Sequence, residues 1–99
     1  MNITVNELKD RLNVQQSIAI IDVREQLEYH TFNIGGENIP LGILLTKIDE
    51  LQYNKEQAIV VVCQRGLRSE TARRVLESHG YTNVKNLTGG LLAWQRAQL

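Results

Sequence analysis

The stretch A-I-V-V-V-C-Q-R-G-L-R-S-E-T-A-R-R-V-L, residues 58–76, decides the fold. Residues 58–62 are an apolar run rich in β-branched side chains, the pattern of a strand buried on both faces. The run stops at Cys63, and Gly66 marks a turn. From 69 to 79 the chain places Ala72, Val75, Leu76 and His79 at helical spacing and stops at Gly80. A buried strand, a glycine turn and a helix make half of a βαβ unit.

The rest of the chain repeats that alternation. Strands are expected at 3–5 (I-T-V), 17–22 (S-I-A-I-I-D), 37–40 (E-N-I-P) and 84–87 (V-K-N-L). Helices are expected from Glu7 to Leu12 with Asn6 as cap, from Glu25 to Tyr29 with Leu27 and Tyr29 in the core, from Ile43 to Leu51, and over 91–97 after Gly89-Gly90. Short strands alternating with short helices predict an α/β fold with a mainly parallel sheet covered on both faces. Ligands of such sheets bind beyond the carboxyl ends of the strands. Asp22 and Cys63 both end strands, so they belong on one edge.

Composition sets bounds. Ninety-nine residues fit one domain, 1–99, and 42% of them are hydrophobic. A chain of this mass should expose about 5,700 Å² when folded. Eleven basic and eleven acidic residues cancel, so no global field points to nucleic acid or to an anionic membrane. A single cysteine excludes an intrachain disulfide and a multi-cysteine zinc site. The first ten residues, M-N-I-T-V-N-E-L-K-D, lack a signal-peptide pattern, and no apolar run has the length of a membrane span. The expected location is the cytoplasm, where a reduced thiol persists.

Cys63 faces the start of a helix, with Arg65 and Arg68 beside it. A free cysteine titrates near ~8.5 and is only a few per cent thiolate at pH 7. Lowering that to about 6.5 takes ~2.7 kcal/mol of differential stabilisation. A helix terminus supplies ~0.3–1 kcal/mol. Converging backbone N–H groups and a nearby arginine are therefore needed as well. Cations at a helix N-terminus oppose its dipole, so Arg65 and Arg68 cost stability unless the turn binds an anion. A thiolate, a persulfide or an oxyanion substrate fits that description. The plainer reading is a small buried core cysteine flanked by solvated arginines.

Four motifs in order, D-V-R-E (22–25), N-I-P-L (38–41), C-Q-R-G-L-R-S (63–69) and G-G-L-L-A-W (89–94), resemble a single-domain rhodanese-like sulfurtransferase over nearly the whole chain. The resemblance implies a central five-stranded parallel sheet flanked by short helices. It implies that Cys63 takes a sulfane sulfur from a small anionic donor such as thiosulfate, holds it as a persulfide and passes it to cyanide or a thiol, including a thiol on an accepting protein. It also implies that N–H groups of Gln64, Arg65, Gly66, Leu67 and Arg68 cradle the sulfur. Such double displacement needs no cofactor or metal, because sulfur is both nucleophile and carrier. The same fold supports dual-specificity phosphatases, whose cysteine and arginine are separated by five residues. Here Arg68 follows Cys63 after four, a tighter loop suited to a terminal sulfur. Two further readings are a phosphatase-like enzyme and a sulfur-carrying docking module with little turnover of its own.

The chain departs from the family pattern at Phe32, Asn33, Ile34 and Gly35, where histidine-isoleucine-proline-glycine is common, and at Glu37. These residues are expected to border the pocket. Asp22 is expected either to pair with Arg68 across the sheet edge or to cap the helix beginning near Arg24. Arg24 is expected in a structural ion pair or on the surface. Ser69 is expected to satisfy loop N–H groups rather than to act as a nucleophile. His79 reads as a helix C-terminal cap, His30 as a turn residue near the pocket, and Trp94 as core. Arg73 and Arg74 read as a solvated helix face, with a partner-docking patch as the alternative.

Overall fold

A computed structural model of the chain describes residues 1–14 and 17–98. Five strands form one parallel sheet: β1 Asn2–Ile3, β2 Ala19–Asp22, β3 Glu37–Asn38, β4 Ile59–Val62 and β5 Val84–Leu87, in the order β1-β5-β4-β2-β3. The helices are α1 Val5–Asn13, α2 Gln26–Thr31, α3 Leu41–Thr46, α4 Leu67–Ser78 and α5 Gly90–Arg96, and a single 3₁₀ turn covers Ile48–Glu50. The expected fold class is observed. The accessible surface is 5786 Å², close to the value expected from mass.

The central strand β4 divides the core by its pleat. Ile59, Val61 and Cys63 face one side, where they pack with Ile21, Val23, Leu44, Ile48, Ala72, Leu76 and Val84 beneath α3 and α4. Val60 and Val62 face the other, with Ile3, Leu8, Ile20, Leu87 and Leu91 beneath α1 and α5. Side chains alternate with period two along a strand, so a strand apolar throughout supplies both layers. Register places Asp22 opposite Val62, and the ends of β2 and β4 therefore share one edge of the sheet. No helix of the described residues is long and apolar enough to cross a membrane.

Several element expectations need correction. α1 starts earlier than expected because Thr4, not Asn6, is its cap: Thr4 Oγ1 accepts from Glu7 N–H at 3.1 Å, and Glu7 returns a bond to Thr4 N–H at 2.9 Å. α4 begins at Leu67, two residues before the apolar spacing shows it, because Gly66 at φ +94° makes the turn by itself. The helix expected over 43–51 breaks after Thr46 into the 3₁₀ turn, with Leu44 and Ile48 buried and Ile43 exposed. Leu27 is 80% exposed rather than core, since α2 lies outside both core layers and buries no residue. Tyr29 is half-buried and donates from its hydroxyl to Gly36 C=O.

Candidate active site

Cys63 follows directly on β4 and is 1% exposed. It receives the N–H of Gly66 at 3.1 Å and the N–H of Ser69 at 3.4 Å. Gly66 is the N-cap of α4 and Ser69 its third residue. The sulfur thus occupies the place an Asp or Ser oxygen takes at an ordinary N-cap, and accepts the donors the helix leaves unpaired. The Ser69 hydroxyl lies 3.2 Å from the sulfur. Burial pushes the thiol pKa up; the Ser69 hydroxyl and the N–H groups of Ser69, Gly66 and Arg65 outweigh it and bring the net shift below the ordinary thiol value.

The loop is also held from behind, at three of its carbonyls. The first turn of α5 takes two of them: Leu91 N–H donates to Cys63 C=O at 2.9 Å and Leu92 N–H to Gln64 C=O at 3.0 Å. Each peptide is planar, so fixing Gln64 C=O on one side aims the Arg65 N–H to the other, toward the sulfur. Asn86 on β5 takes the third, donating from Nδ2 to Gly66 C=O at 3.0 Å. Its Oδ1 receives the Ser69 hydroxyl at 2.5 Å. The G-G pair permits this contact. Gly90 sits at φ +65°, and a β-carbon there would lie 2.5 Å from Gln64 O and 2.6 Å from Cys63 O.

The arginines behave differently from one another. Arg68 makes a two-pronged ion pair with Glu28 of α2, Nη1 to Oε1 at 2.7 Å and Nη2 to Oε2 at 2.9 Å. Bonding to Arg68 holds the Glu28 carboxyl down at about 2. Arg65 is exposed and has no ion-pair partner among the described residues. Above the sulfur is a cleft of about 300 Å³ lined by Glu28, Cys63, Gln64, Arg65, Leu67 and Arg68. A second hollow of about 420 Å³ shares Glu28 and Gln64 with it and adds Arg24, Leu27 and Phe32.

The structure brings Cys63, all five loop residues and Ser69 together, but not Asp22. Asp22 is fully buried and binds Arg24 instead of Arg68: Oδ2 accepts from Nη2 at 2.8 Å, and Oδ1 from Nε and from the backbone N–H, both at 3.0 Å. It is not the cap of α2 either, because that helix begins at Gln26. Arg24 is the structural ion pair expected, and its Nη2 also ties Phe32 C=O at 2.6 Å. Ser69 accepts no loop N–H; its oxygen serves the sulfur and Asn86. Of residues 32–37 none lines the Cys63 cleft. Phe32 lies in the neighbouring hollow, and Glu37 accepts from Tyr53 Oη in a separate hollow with Glu50, Leu51 and Gln52. His30 is exposed in the last turn of α2 and absent from the cleft wall. His79 does close α4, with Nδ1 2.9 Å from Val75 O. Trp94 is half-buried against the core layer beneath α1 and α5, with Lys9 Nζ 5.4 Å from its ring centre. Arg73 is not on a solvated face; it is 9% exposed and held between Glu70 and Glu77 at 2.7 and 2.6 Å.

Sequence reasoning missed Glu28 and Asn86. Asn86 had a signal: it breaks the period-two apolar pattern of β5 at a position facing the same way as Val84. Glu28 had none, since its partner lies forty residues away.

Comparison with known proteins agrees with this architecture. The family model described as Rhodanese-like domain matches residues 4–97. The Bacillus subtilis protein that bears the name "Putative sulfur carrier protein YrkF" is 36% identical over 93 residues, which cover 93% of this chain and 49% of YrkF. The "Adenylyltransferase and sulfurtransferase uba4" of Ogataea parapolymorpha is 35% identical over 97% of this chain and 26% of its own length. The chain thus spans about half of YrkF and about a quarter of uba4. Among solved structures, a rhodanese-like domain protein from Staphylococcus aureus superposes with a TM-score of 0.83 at 30% identity, covering 95% of this chain and 91% of that one. On the match of the family model across almost its whole length, the chain belongs to the rhodanese-like domain family.

Proposed function

We propose that the chain is a sulfurtransferase of the thiosulfate type, acting through a persulfide on Cys63 as one domain, 1–99, in a reducing compartment such as the cytoplasm. The observation that carries this reading is the convergence of N–H groups on one buried sulfur at the start of α4. The thiolate attacks the outer sulfur of a small donor such as thiosulfate. A sulfur–sulfur bond forms to Cys63, the donor's sulfur–sulfur bond breaks, and its electron pair leaves on sulfite. The new terminal sulfur stands about 2 Å farther toward the mouth, within the rim formed by Gln64, Arg65, Leu67 and Arg68. Cyanide or an acceptor thiolate then bonds that sulfur, and the electron pair of the broken bond returns to Cys63 as thiolate. Sulfur alone carries the group between the two half-reactions, so no metal or cofactor takes part.

Intact-mass analysis tests the reading. Treatment with thiosulfate should add one sulfur atom, about 32 Da, removable by reductant or cyanide. Cys63→Ser should abolish both the adduct and thiosulfate:cyanide turnover. Absence of the adduct with thiosulfate refutes the thiosulfate-type reading, and absence with every sulfane-sulfur donor refutes the Cys63 persulfide itself.

A second reading is a sulfur-carrying module that unloads to one protein partner. It is supported by Leu27 and Leu67, 80% and 78% exposed beside the cleft, and by the name of the Bacillus subtilis relative. A Cys63 adduct that forms but resists cyanide would favour it. The phosphatase-like reading loses support from Arg68, whose guanidinium fork is filled by Glu28.

A further inference from the structure

The loop presents two arginines, but only one is free to meet a substrate. Both Arg68 terminal nitrogens bond Glu28, and both Glu28 oxygens are taken, Oε1 also receiving Glu25 N–H at 3.1 Å. A fork-to-fork pair uses the edge of the guanidinium that would otherwise grip an oxyanion. The Glu28 carboxylate itself is part of the cleft wall. One unpaired cation, Arg65, remains at the mouth among the described residues.

Donors differ in the charge they bring to that wall. Thiosulfate is a dianion approaching a thiolate, and it leaves as sulfite, another dianion. An organic hydropersulfide, R–S–S–H, undergoes the same displacement with far less charge. The thiolate bonds its outer sulfur, the internal sulfur–sulfur bond breaks, the electron pair leaves on R–S⁻, and the proton stays on the transferred sulfur. One negative charge is present throughout. A fixed carboxylate in the wall repels the first reaction more than the second. Apolar surface for the organic part is at hand in Leu67 and, across Glu28, Leu27.

We propose that Glu28 is a specificity-determining residue that ranks sulfur donors by charge: it withholds Arg68 from dianionic thiosulfate and favours organic hydropersulfides of low charge. This rests on the sulfur-transfer reading above and deepens it by naming the donor class.

The test compares second-order rates of Cys63 loading, quenched and read by intact mass, with thiosulfate and with 2-hydroxyethyl hydropersulfide. Glu28→Gln removes the charge and keeps an acceptor for Glu25 N–H. It should raise the thiosulfate-to-hydropersulfide rate ratio about tenfold, the scale of one nearby charge in a partly solvated cleft. Arg65→Gln, at an exposed position, should lower the same ratio by about as much. A ratio unmoved in Glu28→Gln overturns the proposal, because a merely structural ion pair would change both rates together. A ratio unmoved in Arg65→Gln also overturns it, because Arg68 would then be serving the dianion despite Glu28. Failure of the underlying reading looks different: neither donor would add sulfur to Cys63 in the unsubstituted protein.

Discussion

A sulfur with almost no solvent contact depends for its charge on the hydrogens aimed at it. Ser69 has one to give. Asn86 Nδ2 is committed to Gly66 C=O, so its Oδ1 faces Ser69 and takes the hydroxyl proton. Either atom of the Cys63–Ser69 contact can donate; with the hydroxyl bonded to Asn86, a thiol S–H is left to donate to the Ser69 oxygen. When it ionises, the hydroxyl turns its proton to the sulfur and leaves Asn86, exchanging a neutral bond for a stronger charge-assisted one. The difference between those bonds is small, so Ser69→Ala should raise the midpoint of iodoacetamide labelling against pH by about one unit or less. In the unsubstituted protein that midpoint should lie below the value of a free thiol, with labelling lost as pH falls through it. Cys63 and its loop were legible from residues 58–76 because a strand, a glycine and a helix meet there in sequence. Asn86 and Glu28 reach the loop only through the folded chain, and neighbouring residues give no account of them.

At the level of elements, α4 and α5 act on the loop from opposite sides. α4 offers its unpaired N–H groups to the sulfur, and α5 offers its own to the carbonyls behind it. The G-G-L-L-A-W motif was legible as a turn and a helix, but not as the backing of the loop, because that role lies in a contact between backbones. Gly90→Ala places a β-carbon against Gln64 O and Cys63 O in a left-handed backbone. The strain should cost about 1–3 kcal/mol, visible as a lower Tm, and should raise the Cys63 labelling midpoint as the Arg65 N–H loses its aim. The Asp22–Arg24 pair serves a different joint, the passage from β2 to α2. Both partners are buried, so Asp22→Ala leaves a guanidinium unpaired and should cost about 3–5 kcal/mol in denaturant unfolding. At temperatures where the variant stays folded, its Cys63 labelling midpoint should not move. An Asp22–Arg68 pair, one of the two roles expected of Asp22, would have shifted it. The spacing of D-V-R-E made the nearer partner available two residues on, and local reach prevailed over the longer one.

For the whole molecule, acid is the revealing variable. Glu28 and Glu70 are held at about 2 in the folded chain, by Arg68 and by Arg73 and Arg74 respectively. A carboxylate whose folded pKa lies below its unfolded value of about 4.5 contributes stability above that value and loses it as pH falls through the folded one. Chemical denaturation should therefore show stability declining from about pH 4.5 toward pH 2. The decline should be modest, since both pairs are partly solvated and screened. Glu28→Gln should remove part of it. The α/β order and the two-layer core could be read in advance because one apolar strand, β4, must face both layers. The strand order could not, since parallel neighbours pair across intervening helices that sequence spacing does not rank. That order sets the longest strands inside and the two shortest, β1 and β3, at the margins. Each margin offers an intruding strand only two rungs of backbone to zip against. Edge-to-edge ribbon growth between copies is starved of template at both borders, and the strand that leads into Cys63 lies two places inward from either one.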